Sequence, residues 1–305
     1  MRLLSLVPSG TEILHALGLS ASQVGRSHEC DFPPDVARLP VCTRPTFDTA
    51  LDSAAIDRQV KERLSVAASI YQINVEIVRG LQPSHVLTQT LCKVCAVSRE
   101  DVEAAFNRQT SLDVRIVDLQ ADSLQAIWND IQRVSEVCDC AYSGREVVHS
   151  LKSRMHAISR QCRAGKTRSK VAAIEWLEPL MSAGNWMPEL LEMASADTLL
   201  ASAGLHSHYI GWPALLAADP DVILLMPCGF DLPRIRSEMT RLEKSSEWQS
   251  LRAVRRGEVY ICDGNQYMNR PGPRIEISLK ILAEILHPDQ FEPSLAGVAW
   301  ERLAS

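Results

Sequence analysis

The stretch LLSLVPSGTEILHALG, residues 3–18, decides the fold. Residues 3–7 are a short, mostly apolar run ended by Pro8-Ser9-Gly10, and Thr11-Glu12-Ile13-Leu14-His15-Ala16-Leu17-Gly18 carries helical spacing. That is strand, turn, helix, with Ser9 or Thr11 as cap and Gly18 closing the helix. The unit recurs. Gln23-Val24-Gly25-Arg26-Ser27 reads as a second short strand, residues 74–81 as a helix, and His85-Val86-Leu87-Thr88-Gln89 as a buried strand. Residues 98–107 follow as a helix and Asp113-Val114-Arg115-Ile116-Val117 as a further strand. Strands alternating with helices imply a parallel sheet with right-handed crossovers.

Residues 123–162 contain no proline and only Gly144, with apolar residues recurring at three and four, as at Leu124, Ile127, Ile131 and Val134. The spacing predicts one long helix, or two nearly collinear ones, of about 40 residues and roughly 60 Å. The strand-helix rhythm then resumes, with strands over 171–175, 222–226 and 258–262 and a closing amphipathic helix over 273–286. The expected architecture is α/β: two Rossmann-like lobes with parallel sheets joined by one long helix. The lobes are residues 1–120 and 166–305, and the linking helix is 121–165, a division that suits a chain of 305 residues.

A hydrophobic content of 46% and a charged content of 23% are those of a soluble globular protein. The net charge of -5 and the lack of a dense Lys/Arg run argue against nucleic acid or an anionic membrane as partner. No apolar run approaches the roughly 18 residues that span a bilayer, so no membrane insertion is expected. Met1-Arg2 runs straight into the apolar residues 3–7 without the tripartite pattern of a secretory leader. The nine cysteines are an odd set without a disulfide-scaffold look. Both observations point to a cytoplasmic location, with a periplasmic one as the alternative.

Residues 175–190, EWLEPLMSAGNWMPEL, read as a shaped loop at the end of a strand, where open α/β sheets hold ligands. Its flat apolar area and acceptors make Glu175, Trp176, Trp186 and Glu189 the first candidates for ligand contact. Residues 206–213, HSHYIGWP, add Tyr209 and Trp212, while His206 and His208 read either as a solvated pair or as metal ligands. In the first half, the loops at His28-Glu29-Cys30-Asp31-Phe32 and Cys92-Lys93-Val94-Cys95 follow strands. A Cys-x-x-Cys with a nearby His and a third Cys is the inventory of a zinc or other soft-metal site, so His28, Cys30, Cys92 and Cys95 are candidate metal ligands. Buried free cysteines are the competing reading. No GxSxG, HExxH or GxGxxG motif is present, and no catalysis is expected.

Several pieces, in order, carry a family likeness: Leu6-Val7-Pro8-Ser9-Gly10-Thr11-Glu12 with Ala16-Leu17-Gly18, Val24-Gly25-Arg26-Ser27, and Asp31-Phe32-Pro33-Pro34. Leu81-Gln82-Pro83-Ser84-His85, Ala218-Asp219-Pro220-Asp221 and Arg270-Pro271-Gly272-Pro273-Arg274 continue it over nearly the whole chain. The chain resembles the class III periplasmic binding proteins, the fold of cobalamin- and siderophore-binding proteins, and most closely their cobalamin-binding branch. The resemblance implies a ligand in the cleft between lobes, gripped by aromatic side chains, with Glu29 and Phe32 on the first-lobe side. It also implies contacts from Tyr267, Asn269 and Arg270 in the last loop to ligand amides and phosphate, and an axial role on cobalt for a thiol or histidine. The family's permease-docking carboxylates fall on Glu76 in the first lobe and on Pro213 in the second. One is kept and one is replaced, which argues against a permease partner.

The expectation is therefore a non-catalytic carrier, scavenger or sensor that binds a corrinoid, cobalamin or a relative, and requires no cofactor of its own. One alternative is the periplasmic substrate-binding component of a cobalamin or iron-siderophore ABC importer. Another is a metal-dependent enzyme or metallochaperone built on His28, Cys30, Cys92 and Cys95.

Overall fold

A computed structural model describes residues 1–66, 69–90, 99–106, 114–165 and 168–303. The chain divides into two units. The first comprises Met1–Leu51, Ala55–Ala121 and Gln125–Ser150; the second comprises Asp52–Ala54, Asp122–Leu124 and Leu151–Ser305.

In the first unit, β1 (Leu3–Ser5), β2 (Gln23–Arg26), β5 (His85–Gln89) and β6 (Arg115–Leu119) form a sheet in the order β2-β1-β5-β6, with every pairing parallel. Leu3, Leu4, Val86 and Leu87 are wholly buried, as both faces of a parallel sheet require. An antiparallel pair, β3 (Thr43–Pro45) and β4 (Tyr71–Ile73), stands apart from it. The opening stretch is a strand followed directly by a helix. Helix α1 (Pro8–Ala16) starts at Pro8, pre-set for the first turn, with Val7 as its N-cap and no side-chain cap. The expected Pro8-Ser9-Gly10 turn and the expected Ser9 or Thr11 cap therefore lie inside the helix; Gly18 follows its end at φ 76°, and Ile13 and Leu14 are fully buried. The remaining helices assigned to or beginning in this half are α2 (Ser53–Ser65), α3 (Val75–Leu81), α4 (Arg99–Ala105), α5 (Leu124–Val137) and α6 (Ala141–Arg163). Gln82, in the left-handed region at φ 46°, ends α3 ahead of Pro83.

The long helix is two helices, and they are not collinear. Asp139 takes φ 56° between α5 and α6, and the Cys140 N–H turns back to the Ser135 carbonyl at 2.8 Å. A Cβ on Gly144 would lie 2.0 Å from the Ser135 hydroxyl oxygen, so the two helices touch at residues that a straight helix separates by about 13 Å. Only a residue without a side chain fits that crossing. Helix α6 belongs to the first unit through Ser150 and to the second from Leu151 onward.

The second unit has a seven-stranded sheet built on β7 (Lys170–Leu177), β8 (Leu180–Ser182), β9 (Asp197–Leu199), β10 (His208–Tyr209), β11 (Val222–Leu225), β12 (Val259–Cys262) and β13 (Trp300–Arg302). Its centre, β7, β11 and β12, is parallel, and β9 pairs parallel with β7; β8, β10 and β13 are added antiparallel. The strand of residues 175–190 is therefore longer than expected. What reads as a loop begins as a hairpin, with Trp176 opposite Met181 and Leu177 opposite Leu180 around the Glu178-Pro179 turn. Helices α7 (Met187–Met193), α8 (Trp212–Ala218), α9 (Leu232–Leu242), α10 (Ser246–Ser250), α11 (Arg252–Arg255) and α12 (Ile275–Leu286) complete the unit. Asp231 caps α9 through the Arg234 N–H at 2.8 Å, and Ile275, Leu279 and Leu282 of α12 are fully buried. Among the described residues no helix is long and apolar enough to cross a membrane.

Candidate functional site

Strands β7, β11 and β12 run parallel, so their carboxyl ends share one edge, the edge where open α/β sheets bind ligands. Trp176 lies at the end of β7, Phe230 in the loop after β11, and Tyr267 in the helical turn Gly264–Met268 after β12. The half-buried Trp176 ring packs on Phe230 with centroids 5.3 Å apart and planes at 56°. Its indole N–H donates to the Ser53 carbonyl at 3.2 Å, in the short segment that belongs to this unit. Ser53 donates its N–H and hydroxyl to the buried Glu238 carboxylate at 3.1 and 2.9 Å. Arg234 pairs with Glu238 at 3.3 Å and stacks over Phe230 at 4.8 Å, which closes a ring of contacts around the two aromatics. Phe230 joins the candidate site through its contact with Trp176, and the sequence does not single it out; its signal there is the Pro227-Cys228-Gly229 turn after the apolar run of β11.

Glu175 accepts the Ser207 hydroxyl at 2.7 Å, and the Ser207 oxygen accepts the Gly184 N–H at 3.0 Å. Gly184 has no room for a side chain, since a Cβ would lie 2.3 Å from the Leu205 carbonyl oxygen. Asn185, at φ 53°, donates its N–H to Leu205 at 2.7 Å and accepts from Gly204 at 3.0 Å. Trp186, expected as a presented ring, is buried, with 7% of its surface accessible. Glu189 accepts the Leu124 N–H at 2.7 Å and so caps the start of α5 rather than offering a free carboxylate. Tyr209 is exposed, and Trp212 is half-buried as the first residue of α8. His206 and His208 are exposed, with a long 3.4 Å contact between His208 Nδ1 and the Ser182 hydroxyl.

In the last loop Asp263 Oδ1 accepts the N–H groups of Asn265 and Gln266 at 2.8 and 2.6 Å, and burial holds its carboxyl above the usual range. Asn269 directs its amide inward, donating to the carbonyls of Met226 at 2.8 Å and Gly264 at 3.2 Å, so it braces the loop. Arg270 and Arg274 are buried rather than solvated. The first donates to Asn265 at 3.1 Å; the second donates to Gln266 at 3.1 Å and stacks over Tyr267 at 5.3 Å.

In the first unit, Glu29 and Phe32 are half-buried on the loop after β2. His28 Nδ1 lies 2.8 Å from the Thr43 hydroxyl and its ring 5.4 Å from Tyr71; burial, helped by Arg26, pulls its pKa down to about 4. Cys30 is fully buried, accepts the Thr11 hydroxyl at 3.1 Å and faces the Ser5 carbonyl, which makes it a core thiol rather than a presented ligand. Cys92 and Cys95 lie outside the described residues. Among the described residues no three His, Cys, Asp or Glu side chains gather as a metal site. Glu76 is exposed in the first turn of α3, capped by Asn74, and pairs with Arg79 at 3.1 Å. An open groove of about 510 Å³ beside it is lined by Thr43, Arg44, Asn74 and Val75 among others.

A periplasmic binding protein profile matches residues 3–266. The uncharacterized ABC transporter substrate-binding lipoprotein YvrC of Bacillus subtilis (strain 168) is 24% identical over 302 residues, covering 95% of this chain and 81% of its own. The vitamin B12-binding protein of Vibrio cholerae serotype O1 is 23% identical over 275 residues, covering 90% and 84%. A periplasmic heme binding protein from Pseudomonas aeruginosa superposes with a TM-score of 0.72 at 17% identity, covering 95% of this chain and 94% of that one.

Proposed function

Since the chain belongs to the periplasmic binding protein family, we propose that it is the substrate-binding component of an ABC-type importer and that its ligand is a corrinoid, cobalamin or a relative. This replaces the free-standing cytoplasmic carrier that the sequence suggests. Relatives matching nine-tenths of the chain are named as a transporter lipoprotein and a vitamin B12-binding protein, which supports the importer reading and a location outside the cytoplasm. The function is binding rather than catalysis.

The observation that carries the reading is the placing of Trp176, Phe230 and Tyr267 at the carboxyl ends of three adjacent parallel strands. Three aromatic side chains on one sheet edge suit a broad, flat, largely apolar ligand. Tyr209 and Trp212 extend the candidate contacts in this unit; in the first unit, Glu29 and Phe32 are candidates by the family resemblance. Glu76, exposed and in a capped first turn, is the candidate permease-docking carboxylate. For the metal-centred alternative, Cys30 is a buried thiol that accepts from Thr11, and Cys92 and Cys95 lie outside the described residues. Titration of the purified protein with hydroxocobalamin, followed by calorimetry and by the visible spectrum, tests the proposal. One-to-one binding is expected; no retained corrinoid at micromolar concentration would sink it.

A further inference from the structure

Helix α6 carries five basic residues and one carboxylate, Glu146, in its 23 residues, on a chain whose net charge is -5. Its core-facing positions Val148, Leu151, Met155 and Cys162 are buried. At about 100° of turn per residue, Arg145, His149, Lys152, His156, Arg160 and Arg163 fall within about 80° of one another around the axis, well away from that buried row. Five of the six are exposed and Lys152 is half-buried. They form one stripe about 27 Å long on a continuous helix. In the sequence the same residues are scattered and make no run; the helical period is what gathers them.

Arginines elsewhere meet carboxylates, as Arg79 meets Glu76, Arg252 meets Asp221 and Arg302 meets Glu258. On α6 itself Arg154, on the far side of the helix from the stripe, pairs with Glu276. Among the described residues no carboxylate lies within ion-pair distance of Arg145, Arg160 or Arg163, and the Arg145 guanidinium stands 6.0 Å over the exposed Tyr142 ring.

A row of cations with no apolar member selects its partner. Stable protein interfaces bury aromatic and apolar anchors and keep charges out of their centre, and none of the six positions supplies an anchor. A bilayer bearing anionic phospholipid makes no such demand: its headgroups move laterally and gather under a straight row, and each Lys or Arg near the surface adds about fivefold in affinity. The rest of the chain is net acidic and is repelled by the same surface, so attachment requires α6 to face the lipid. We propose that the α6 stripe is a contact surface for anionic phospholipid headgroups that holds the protein reversibly against a membrane, an inference that rests on the importer reading above. The contact is peripheral, since the row has no apolar side chain to enter hydrocarbon.

The test is co-sedimentation of the full chain with vesicles of phosphatidylcholine, alone or with about one-third phosphatidylglycerol. Binding is expected to the mixed vesicles only, at about 50 mM salt, and should vanish at about 500 mM. Arg160→Ala should lose about fivefold in apparent affinity, and the triple variant Arg145→Ala, Arg160→Ala, Arg163→Ala about 100-fold, each keeping the parent's melting temperature and hydroxocobalamin affinity. Arg154→Ala makes the same charge change off the stripe and should stay within about twofold of the parent. No binding to either vesicle, or full binding by the triple variant, overturns the proposal. Equal losses in Arg154→Ala and Arg160→Ala would make net charge alone responsible and overturn it too, as would tighter binding to a duplex oligonucleotide than to the mixed vesicles. Vesicle binding without hydroxocobalamin binding leaves the stripe standing and removes the corrinoid reading; hydroxocobalamin binding without vesicle binding does the reverse.

Discussion

Glu175 and Ser207 are joined by a 2.7 Å hydrogen bond from the serine hydroxyl, and the same oxygen accepts the Gly184 N–H at 3.0 Å. One hydroxyl thus ties the end of β7 to two loops that are twenty-three residues apart in the chain. Replacing Ser207 with Ala removes the donor to Glu175 and leaves the buried Gly184 N–H unpaired, a loss of about 1–2 kcal/mol. The expected result is a lower urea midpoint with an unchanged slope. Gly184→Ala should cost more, because the new methyl meets backbone rather than a movable side chain. Equal stability of all three proteins would remove this network from any account of the site.

Asp130 supplies a pH signature. It is 1% exposed, accepts the Gln120 N–H at 2.8 Å and Arg133 at 2.6 Å, and has its pKa raised to about 7, first by burial and also by the neighbouring Asp118. The ordinary value is 3.8. Between the two values the unfolded chain gives up its proton while the folded one keeps it, so this group's contribution is full below the lower value and is lost as pH rises to the upper. Urea melts of the unmodified protein and Asp130→Asn between about pH 4.5 and 8 should diverge in that sense, the variant gaining on the parent as pH rises and at least matching it at pH 8. His28, held down to about 4, titrates in both proteins and drops out of the difference. Parallel curves would place the Asp130 pKa in the ordinary range.

The parallel core was readable because its strands are continuous apolar runs and its helices have one buried stripe, patterns that survive in one dimension. The features that escaped depend on distant partners or on single backbone angles. Nothing local distinguishes Asp139 from a helical residue, yet its positive φ breaks the long helix. The loop neighbours of Cys30 leave metal ligand and buried thiol both open, and its contact with Thr11, nineteen residues earlier, is not visible in that local stretch. Phe230 became part of the site only through Trp176, which lies across a strand pairing. The hairpin of β7 and β8 was hidden because Glu178 and Pro179 read as loop residues, whereas they form a tight turn between Leu177 and Leu180.

Glu284 should prove the strongest single anchor of the C-terminal segment. It is 1% exposed and accepts the Ser294 hydroxyl at 2.7 Å, the Leu295 N–H at 3.0 Å and the Trp300 indole N–H at 2.9 Å, tying the approach to β13 onto α12. Glu284→Ala strands these donors and is expected to cost about 3 kcal/mol or more, with early protease cleavage between residues 290 and 299. Glu284→Gln keeps an acceptor and should cost less. Cleavage sites that map elsewhere in both variants would show that the segment is held by other contacts.

Trp176 separates the packing role of the aromatic edge from its binding role. Trp176→Phe keeps a ring against Phe230 but drops the hydrogen bond to the Ser53 carbonyl, so stability should fall by about 1 kcal/mol while hydroxocobalamin affinity changes little. Trp176→Ala and Phe230→Ala remove the flat surface itself and should weaken binding about 30-fold or more, the loss expected of a central aromatic contact. Tyr209→Ala, at an exposed edge strand, should cost only a few fold. Calorimetric titration of the four variants with hydroxocobalamin gives the ranking. If Trp176→Ala binds as tightly as the parent while Tyr209→Ala does not, the ligand rests on the β10 edge and the carboxyl ends of β7 and β11 are only core.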